Sequence, residues 1–192
     1  MSRLDLVIGP NGAGKSTFVA RILAEQLPGS PFVNADEIAR QRWPDDPERH
    51  AYEAARVAEA TRSALIERGV QFIAETVFSH PSKLALIDQA RAAGYFVALH
   101  ALMVPEDVAV ARVACRVEHG GHSVPETKIR ERYSRLWALV AGAAATAQAV
   151  DFWDNSTLDG PELVAELADA QLLGPPKWPS WAPDVLTGRW AA

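Results

Sequence analysis

Near the N-terminus, nine consecutive residues have the types and spacing that hold a polyphosphate. The segment 9–16 reads GPNGAGKS, which fits the pattern G-x-x-x-x-G-K-[ST], and Thr17 follows it. Such glycines let the backbone turn sharply and direct N–H groups at phosphate oxygens, and a following helix adds partial positive charge. The pattern predicts that Lys15 reaches the β- and γ-phosphates of ATP, that the Ser16 hydroxyl binds Mg²⁺ and that Thr17 lies near the α-phosphate. The residues expected at the nucleotide are Gly9, Asn11, Gly12, Ala13, Gly14, Lys15, Ser16 and Thr17.

Phosphoryl transfer also needs a carboxylate that accepts the proton of the attacking hydroxyl. Open α/β sheets bind ligands beyond the carboxyl ends of their strands, so residues just after predicted strands are the candidates. Asp36 follows the second predicted strand, and we predict it as the catalytic base; the alternative is an N-cap for a helix starting at Glu37. Glu75, followed by Thr76, comes directly after the third predicted strand. We predict that it orients the acceptor or binds a water on Mg²⁺; the alternative is a buried carboxylate paired with an arginine.

Three polar residues, Asp154, Asn155 and Ser156, follow the fifth predicted strand. They could line the base side of the nucleotide, and we include Asn155 among the nucleotide-binding candidates. An Asx-turn that closes the strand is at least as good an explanation of the same pattern.

A basic segment over about 112–135 holds six basic and three acidic residues, within a chain of net charge −5. Arg112 and Arg116 share one helical face, and Arg132 belongs to a second basic stripe. A Gly-Gly pair between His119 and His122 separates the two predicted helices, which favours a lid that closes over polyphosphate and excludes water. We expect Arg112 and Arg116 at the transferring phosphate and Arg132 and His122, with Glu75 and Thr76, at the substrate. A solvated, salt-bridged helix pair is the alternative.

Short apolar runs alternate with longer stretches rich in Ala, Glu, Arg and Leu, which is typical of βαβ units with a parallel sheet. This predicts an α/β P-loop NTPase fold with a parallel five-stranded sheet, flanking helices and a helical lid. The predicted strands are 4–8, 32–33, 70–74, 95–104 and 150–153, and the predicted helices are 15–27, 36–42, 47–68, 81–93, 105–118, 125–148 and 161–172. Residues 1–173 would form the domain, and 174–192 a Pro- and Trp-rich tail that packs on it or binds a partner.

Composition narrows the class of protein. The 192 residues are 48% hydrophobic, enough for one core, and the net negative charge argues against a dedicated nucleic-acid binder. One cysteine and no export signal or membrane-length apolar run favour a soluble cytoplasmic protein. The chain has neither the LSGGQ-type signature of transporter ATPases nor the NKxD motif of GTPases. The classes of P-loop protein that remain are a small kinase and a nucleotide-binding switch.

Several segments together resemble the zeta toxin family of P-loop kinases, in a short form. They are GPNGAGKST, FVNADEI at 32–38, Glu75-Thr76, the basic run 112–116 followed by GGHSVPE and IRERY, and Asp154-Asn155-Ser156, so the likeness spans about residues 4–156. The resemblance implies Lys15 and Ser16 at ATP and Mg²⁺, Asp36 as base, Glu75 in the acceptor site and lid arginines at the γ-phosphate.

The family's well-studied members use ATP to phosphorylate the sugar 3′ hydroxyl of UDP-N-acetylglucosamine, and a partner antitoxin neutralises them. The resemblance therefore implies an ATP-dependent kinase for a nucleotide sugar, with an antitoxin as a possible protein partner. The chain is shorter than the best-known members, so the acceptor is open. A kinase for an antibiotic or other metabolite and a regulatory ATPase without a small-molecule acceptor are the alternatives.

Overall fold

A single mixed sheet organises the molecule, whose computed structural model describes residues 2–118 and 123–191. In chain order its strands are β1 (Arg3–Ile8), β2 (Phe32–Val33), β3 (Phe72–Thr76), β4 (Phe96–Met103), β5 (Ala149–Asp154), β6 (Glu162–Ala168) and β7 (Gln171–Leu172). They lie side by side in the order β2-β3-β1-β4-β5-β6-β7, and β1 to β5 run parallel. The five predicted strands and the α/β class are confirmed.

Helices connect the parallel strands. They are α1 (Lys15–Phe18), which continues through a π-helical turn (Val19–Leu23) into α2 (Ala24–Gln26), then α3 (Ala35–Arg42), α4 (Ala51–Glu67), α5 (Ser82–Ala92), α6 (Glu106–Glu118), α7 (Glu126–Ala144) and the short α8 (Asp184–Thr187). The two central glycines of the predicted lid hinge and its two histidines, His119 and His122, lie outside the described residues. Among the helices of the described ranges, none is both long enough and apolar enough to cross a bilayer.

The predicted helix over 161–172 is wrong, and the predicted five-stranded parallel sheet is a seven-stranded mixed one. β6 pairs antiparallel with β5, and β7 pairs antiparallel with β6. Ala, Glu and Leu favour helices, but pairing with β5 outweighs that weak preference. An irregularity in register opposite Phe152 and Trp153 leaves consecutive residues Val164 and Ala165 both buried, which hides the alternation that indicates a strand.

Both faces of β1 are buried, because helices cover both sides of the sheet. Leu4, Leu6 and Ile8 belong to the larger apolar core. Val7 belongs to a smaller core that includes Phe18 of α1. The loop between β1 and α1 is therefore held between two elements that pack against each other.

The C-terminal residues pack on the sheet through their tryptophans. The rings of Trp178 and Trp190 lie 5.2 and 5.8 Å, centroid to centroid, from the ring of Phe152 in β5. Trp190 Nε1 donates to the Ala170 carbonyl at 3.1 Å, and Trp178 Nε1 donates to the Trp190 carbonyl at 3.0 Å. Leu186 of α8 is fully buried, so this segment contributes to the larger core.

Candidate active site

The glycine-rich loop lies where the carboxyl end of β1 meets the N-terminus of α1. Gly12 and Gly14 have φ of +77° and +82°, values that favour glycine. A Cβ at Gly12 would lie 2.5 Å from the Ala109 carbonyl oxygen, and one at Gly14 would lie 2.6 Å from Asn155 Nδ2. Glycine is therefore required at both positions by backbone conformation and by space.

The Glu75 carboxylate joins the loop to two neighbouring strand ends. Ser16 Oγ donates to Glu75 Oε2 at 2.7 Å, and Asn34 Nδ2 donates to the same oxygen at 2.6 Å. Lys15 Nζ donates to the Pro10 carbonyl at 2.9 Å and lies 3.9 Å from Glu75 Oε1. The partners of Glu75 are thus a serine, an amide and a lysine, and not the arginine of the alternative interpretation.

Lys15 is 7% exposed, and its charge is balanced by several neighbours. Burial lowers the pKa of its ammonium group, and the attraction of Glu75 and Asp36 opposes that effect. Repulsion from Arg116 and Arg132 adds to the lowering. An anion beside these three cations would offset the repulsion and favour the charged form of Lys15.

Asp36 lies in the first turn of α3 and is exposed to the cleft. The helix is capped by Asn34, whose Oδ1 accepts from the backbone N–H groups of Asp36 at 2.7 Å and Glu37 at 3.2 Å. The N-cap interpretation of Asp36 is therefore wrong, because Asn34 has that role and α3 begins at Ala35. Within residues 2–118 and 123–191, the Asp36 carboxylate has no hydrogen bond or salt bridge, so its oxygens can accept a proton from a bound molecule.

Three arginines of the predicted lid line the same cleft: Arg112, Arg116 and Arg132. Arg112 donates from Nη1 to the Asn155 carbonyl at 2.7 Å and from Nη2 to the carbonyls of Ser156 and Thr157, each at 3.2 Å. These bonds tie α6 to the loop after β5. Arg132 of α7 donates from Nη1 to Asn11 Oδ1 at 3.4 Å, a long contact with the glycine-rich loop.

Asn155 contacts the glycine-rich loop directly. Its Nδ2 donates to the Ala13 carbonyl at 2.8 Å, and its backbone N–H donates to the Met103 carbonyl. The Asx-turn is present too, since Asp154 Oδ1 accepts from the Ser156 N–H at 2.8 Å. The residues Asn155, Gly9 and Ala13 do not line the cleft. They therefore support the loop from the side that faces away from the cleft.

The cleft has a volume of about 560 Å³ and includes a wall that the sequence reasoning did not assign. The loop after β3 and the start of α5 supply this wall, together with a residue of α3. These residues are Arg40, Val77, Phe78, Ser79, His80 and Lys83. Residues 77–80 come soon after the third predicted strand, and this position was a usable signal, because that is where such sheets bind ligands.

The arrangement suits a triphosphate with Mg²⁺. Backbone turns at Gly12 and Gly14 and the Lys15 ammonium are fitted to phosphate oxygens. Ser16 Oγ and the Glu75 carboxylate form an adjacent pair of oxygen ligands for a metal ion. Mg²⁺ is commonly bound by one or two such groups together with phosphates and waters. Among the described residues no cluster of three or more His, Cys, Asp or Glu could hold a metal ion.

Comparison with known proteins gives relatives of low sequence identity and clear fold similarity. An uncharacterized protein of Haemophilus influenzae is 29% identical over 126 residues, which are 65% of this chain and 88% of that protein. The solved complex of AvrRxo1-ORF1 with AvrRxo1-ORF2 has a TM-score of 0.70 at 14% identity, over 90% of this chain and 60% of that one; it has also been solved with ATP. This chain thus spans 60% of the length of that neighbour.

The PezAT chromosomal toxin–antitoxin system of Streptococcus pneumoniae is also similar, with a TM-score of 0.64 at 15% identity over 98% of this chain and 78% of that one. At these identities the likeness shows the fold alone, the α/β fold of P-loop NTPases. A family model described as AAA domain matches residues 4–139, more than half of the sequence, and the chain therefore belongs to that family.

Proposed function

We propose that the protein is an ATP-dependent phosphotransferase that transfers the γ-phosphate of ATP to a hydroxyl of a small molecule. The observation that carries this proposal is the Asp36 carboxylate, which lines the same cleft as Lys15 and Ser16 and makes no hydrogen bond among the described residues. A protein that only bound or hydrolysed nucleotide would have no need of a cleft wall beyond the phosphate site. Here residues of the loop after β3 extend the cleft in that way.

The residues of the glycine-rich loop and their neighbours each have a role in binding the nucleotide. The glycine-rich loop, from Gly9 to Thr17, holds the phosphates, and Lys15 compensates the charge on the β- and γ-phosphates. Ser16 would bind Mg²⁺ directly, and Glu75, which accepts a hydrogen bond from the Ser16 hydroxyl, holds that hydroxyl in place. A Mg²⁺ ion held there would neutralise negative charge on the phosphates. Asn155 supports the loop from behind through Ala13.

In the transfer step, the acceptor oxygen forms a bond to the γ-phosphorus while the bond to the β–γ bridging oxygen breaks, which leaves ADP. The hydroxyl proton goes to an Asp36 carboxylate oxygen. Arg116 and Arg132 stabilise charge on the transferring group, and the lid over about 112–135 excludes water. Arg112 keeps the lid helix α6 against the loop after β5. Glu75 and Thr76 complete the acceptor site, and His122, which lies outside the described residues, is assigned to it from the sequence alone.

For the acceptor, a nucleotide sugar is our first choice, with UDP-N-acetylglucosamine as the first candidate. The resemblance of the motifs to zeta toxins supports it, and so does the similarity in fold to a protein of the PezAT toxin–antitoxin system. Both structural neighbours come from complexes or systems of two proteins, which supports an antitoxin as protein partner. The Pro- and Trp-rich segment from residue 174 packs on β5 through Trp178 and Trp190. We therefore assign this segment to the fold of the kinase domain.

The test is mass spectrometry of products after incubation with ATP, Mg²⁺ and a panel of hydroxylated acceptors. The panel holds UDP-N-acetylglucosamine, other nucleotide sugars, aminoglycoside and nucleoside antibiotics and common metabolites, and Lys15→Ala is the blank. We expect one acceptor to gain one phosphate in a Lys15-dependent manner. ADP formation with no phosphorylated acceptor would contradict the kinase proposal and favour the regulatory ATPase.

A further inference from the structure

Six cationic side chains line the cleft, and most of them have partners. Lys15 donates to the Pro10 carbonyl and faces Glu75. Arg40 is paired with Glu37 at 2.6 Å, and Arg132 contacts Asn11. Arg112 is held by three backbone carbonyls, and Arg116 has interactions of its own.

Lys83, in the first turn of α5, is different. Within residues 2–118 and 123–191, its ammonium group has no hydrogen bond and no salt bridge, although the side chain is half-buried and lines the cleft. Burial lowers the pKa of Lys83, and the nearby Arg62 lowers it further. Glu59 is the one carboxylate that attracts it appreciably, and this residue is exposed and beyond ion-pair distance.

Arg62, on α4, adds a second positive charge near Lys83, and Glu59 attracts both cations. Its side chain is 7% exposed, yet no hydrogen bond or salt bridge joins its guanidinium to any other described residue. Its guanidinium nitrogens keep some contact with solvent, so the charge lacks a salt-bridge partner without being fully desolvated. Two nearby cations without salt-bridge partners favour binding of an anion from solution.

The loop that leads to Lys83 has a fixed shape. Phe78 is fully buried and adopts φ of +62°, a rare value for an aromatic residue, so packing holds this turn of the chain. Two residues on, His80 Nδ1 lies 2.9 Å from Ser82 Oγ and 3.2 Å from the Ser82 backbone nitrogen. These contacts hold the exposed imidazole of His80 at the cleft.

We propose that Lys83, with His80 beside it and Arg62 behind it, binds an oxyanion carried by the acceptor, a phosphate or carboxylate group separate from the hydroxyl that is phosphorylated. This inference rests on the proposed function and narrows its substrate class to anionic alcohols. The glycine-rich loop would then hold ATP, and this subsite would hold the acceptor. Asp36 lines the same cleft. Neutral sugars and neutral antibiotics are excluded as good acceptors.

The kinetic test compares acceptors that differ in the anionic group: UDP-N-acetylglucosamine, N-acetylglucosamine 1-phosphate and N-acetylglucosamine. We expect a higher kcat/KM for the members that carry phosphate, and we expect Lys83→Gln to raise their KM roughly 10-fold or more, as for loss of a charge-assisted hydrogen bond. Lys177→Gln, an identical change at an exposed lysine after β7, is the matched control. Equal turnover of the neutral sugar, or an unchanged KM in Lys83→Gln, would overturn the subsite.

A binding measurement separates this inference from the kinase proposal. Inorganic pyrophosphate is titrated calorimetrically into the protein saturated with Mg²⁺ and ADP, which occupy the glycine-rich loop. We expect binding that weakens roughly 10-fold in Lys83→Gln and is unchanged in Lys177→Gln. If no acceptor is phosphorylated but this dependence on Lys83 is found, the anion site stands and the kinase proposal fails. If pyrophosphate does not bind, or binds both variants equally, the anion site fails whatever the activity.

Discussion

Asp36 is the residue whose chemistry the proposed reaction depends on most. Asp36→Asn keeps the shape of the side chain but removes its ability to accept a proton. We expect turnover to fall roughly 10²- to 10⁴-fold, as for loss of a general base, while ATP affinity changes little. The measurement is kcat with the identified acceptor, beside a titration of ATP.

Asp45→Asn is the matched control, because Asp45 is exposed in the segment after α3. Turnover of Asp36→Asn at the wild-type rate would remove Asp36 from the mechanism. A loss that Asp45→Asn shares would point instead to the net charge of this surface.

At the scale of single residues, the sequence predicted the glycine-rich loop, and six of its residues line the cleft, because the shape of the loop depends on local spacing. The sequence also drew attention to Glu75 but did not predict its partner Ser16, which lies 59 positions away in the chain. Asn34 was not given a role, although it both caps α3 and donates to Glu75. Contacts of that kind depend on how strand ends are placed side by side, which no local motif contains.

The glycine-rich loop gives a prediction at the scale of the element. Gly14→Ala would place a methyl group 2.6 Å from Asn155 Nδ2 and would disturb the bond from that amide to Ala13. Gly29→Ala is the matched control, since Gly29 has a similar φ of +77° and nothing within 4 Å of the added Cβ. Both variants have the backbone cost of about 1 kcal/mol at positive φ, but only Gly14→Ala meets a neighbour.

We therefore expect Gly14→Ala to weaken ATP binding at least 10-fold and Gly29→Ala to leave it unchanged, with both chains folded. Calorimetric titration of ATP and thermal melts of the two variants check this. Equal losses of ATP affinity in both would mean that the loop responds to backbone strain in general, and not to its packing against Asn155.

Among the elements, the parallel strands were predictable because burial on both faces gives short, continuous apolar runs. The strand β6 was not, since Glu, Leu, Val and Ala in 162–168 satisfy a helical pattern equally well in isolation. What decides the matter is the free edge of β5, which β6 covers by antiparallel pairing. The lid helices were placed correctly, but the attachment of Arg112 to three carbonyls of a distant loop was not foreseeable.

At the scale of the whole molecule, a buried charge network joins the three central strands β1, β4 and β5. His100, 5% exposed, has Nε2 at 2.9 Å from Asp5 Oδ1, and Asp5 is fully buried. The other ring nitrogen of His100, Nδ1, lies 3.3 Å from Asp151 Oδ2, an electrostatic contact without hydrogen-bond geometry. Arg3 donates to both oxygens of Asp5 at 2.7 and 2.8 Å.

The network shifts two pKa values in directions that stabilise the charged pair. Burial disfavours the charged form of His100, but the carboxylates of Asp151 and Asp5 outweigh it and raise its pKa above the ordinary 6.5. Burial likewise opposes ionisation of Asp5, but His100 and Arg3 outweigh it and lower the Asp5 pKa. The His100 contribution to stability is then complete below about pH 6.5 and is lost as pH rises through the raised pKa, whereas the Asp5 contribution is present above about pH 3.9 and is lost in acid.

His100→Gln is therefore expected to destabilise the fold by about 1–3 kcal/mol between pH 5 and 6, since glutamine can accept or donate a hydrogen bond but cannot carry the charge. The difference in unfolding free energy between wild type and variant should shrink as pH rises through the raised pKa of His100, because the wild-type imidazole loses its proton there. Urea unfolding at a series of pH values measures it, and His50→Gln, the same change outside the sheet, is the control. A constant difference across the series would show that His100 acts by packing beside Phe18 and not by its charge.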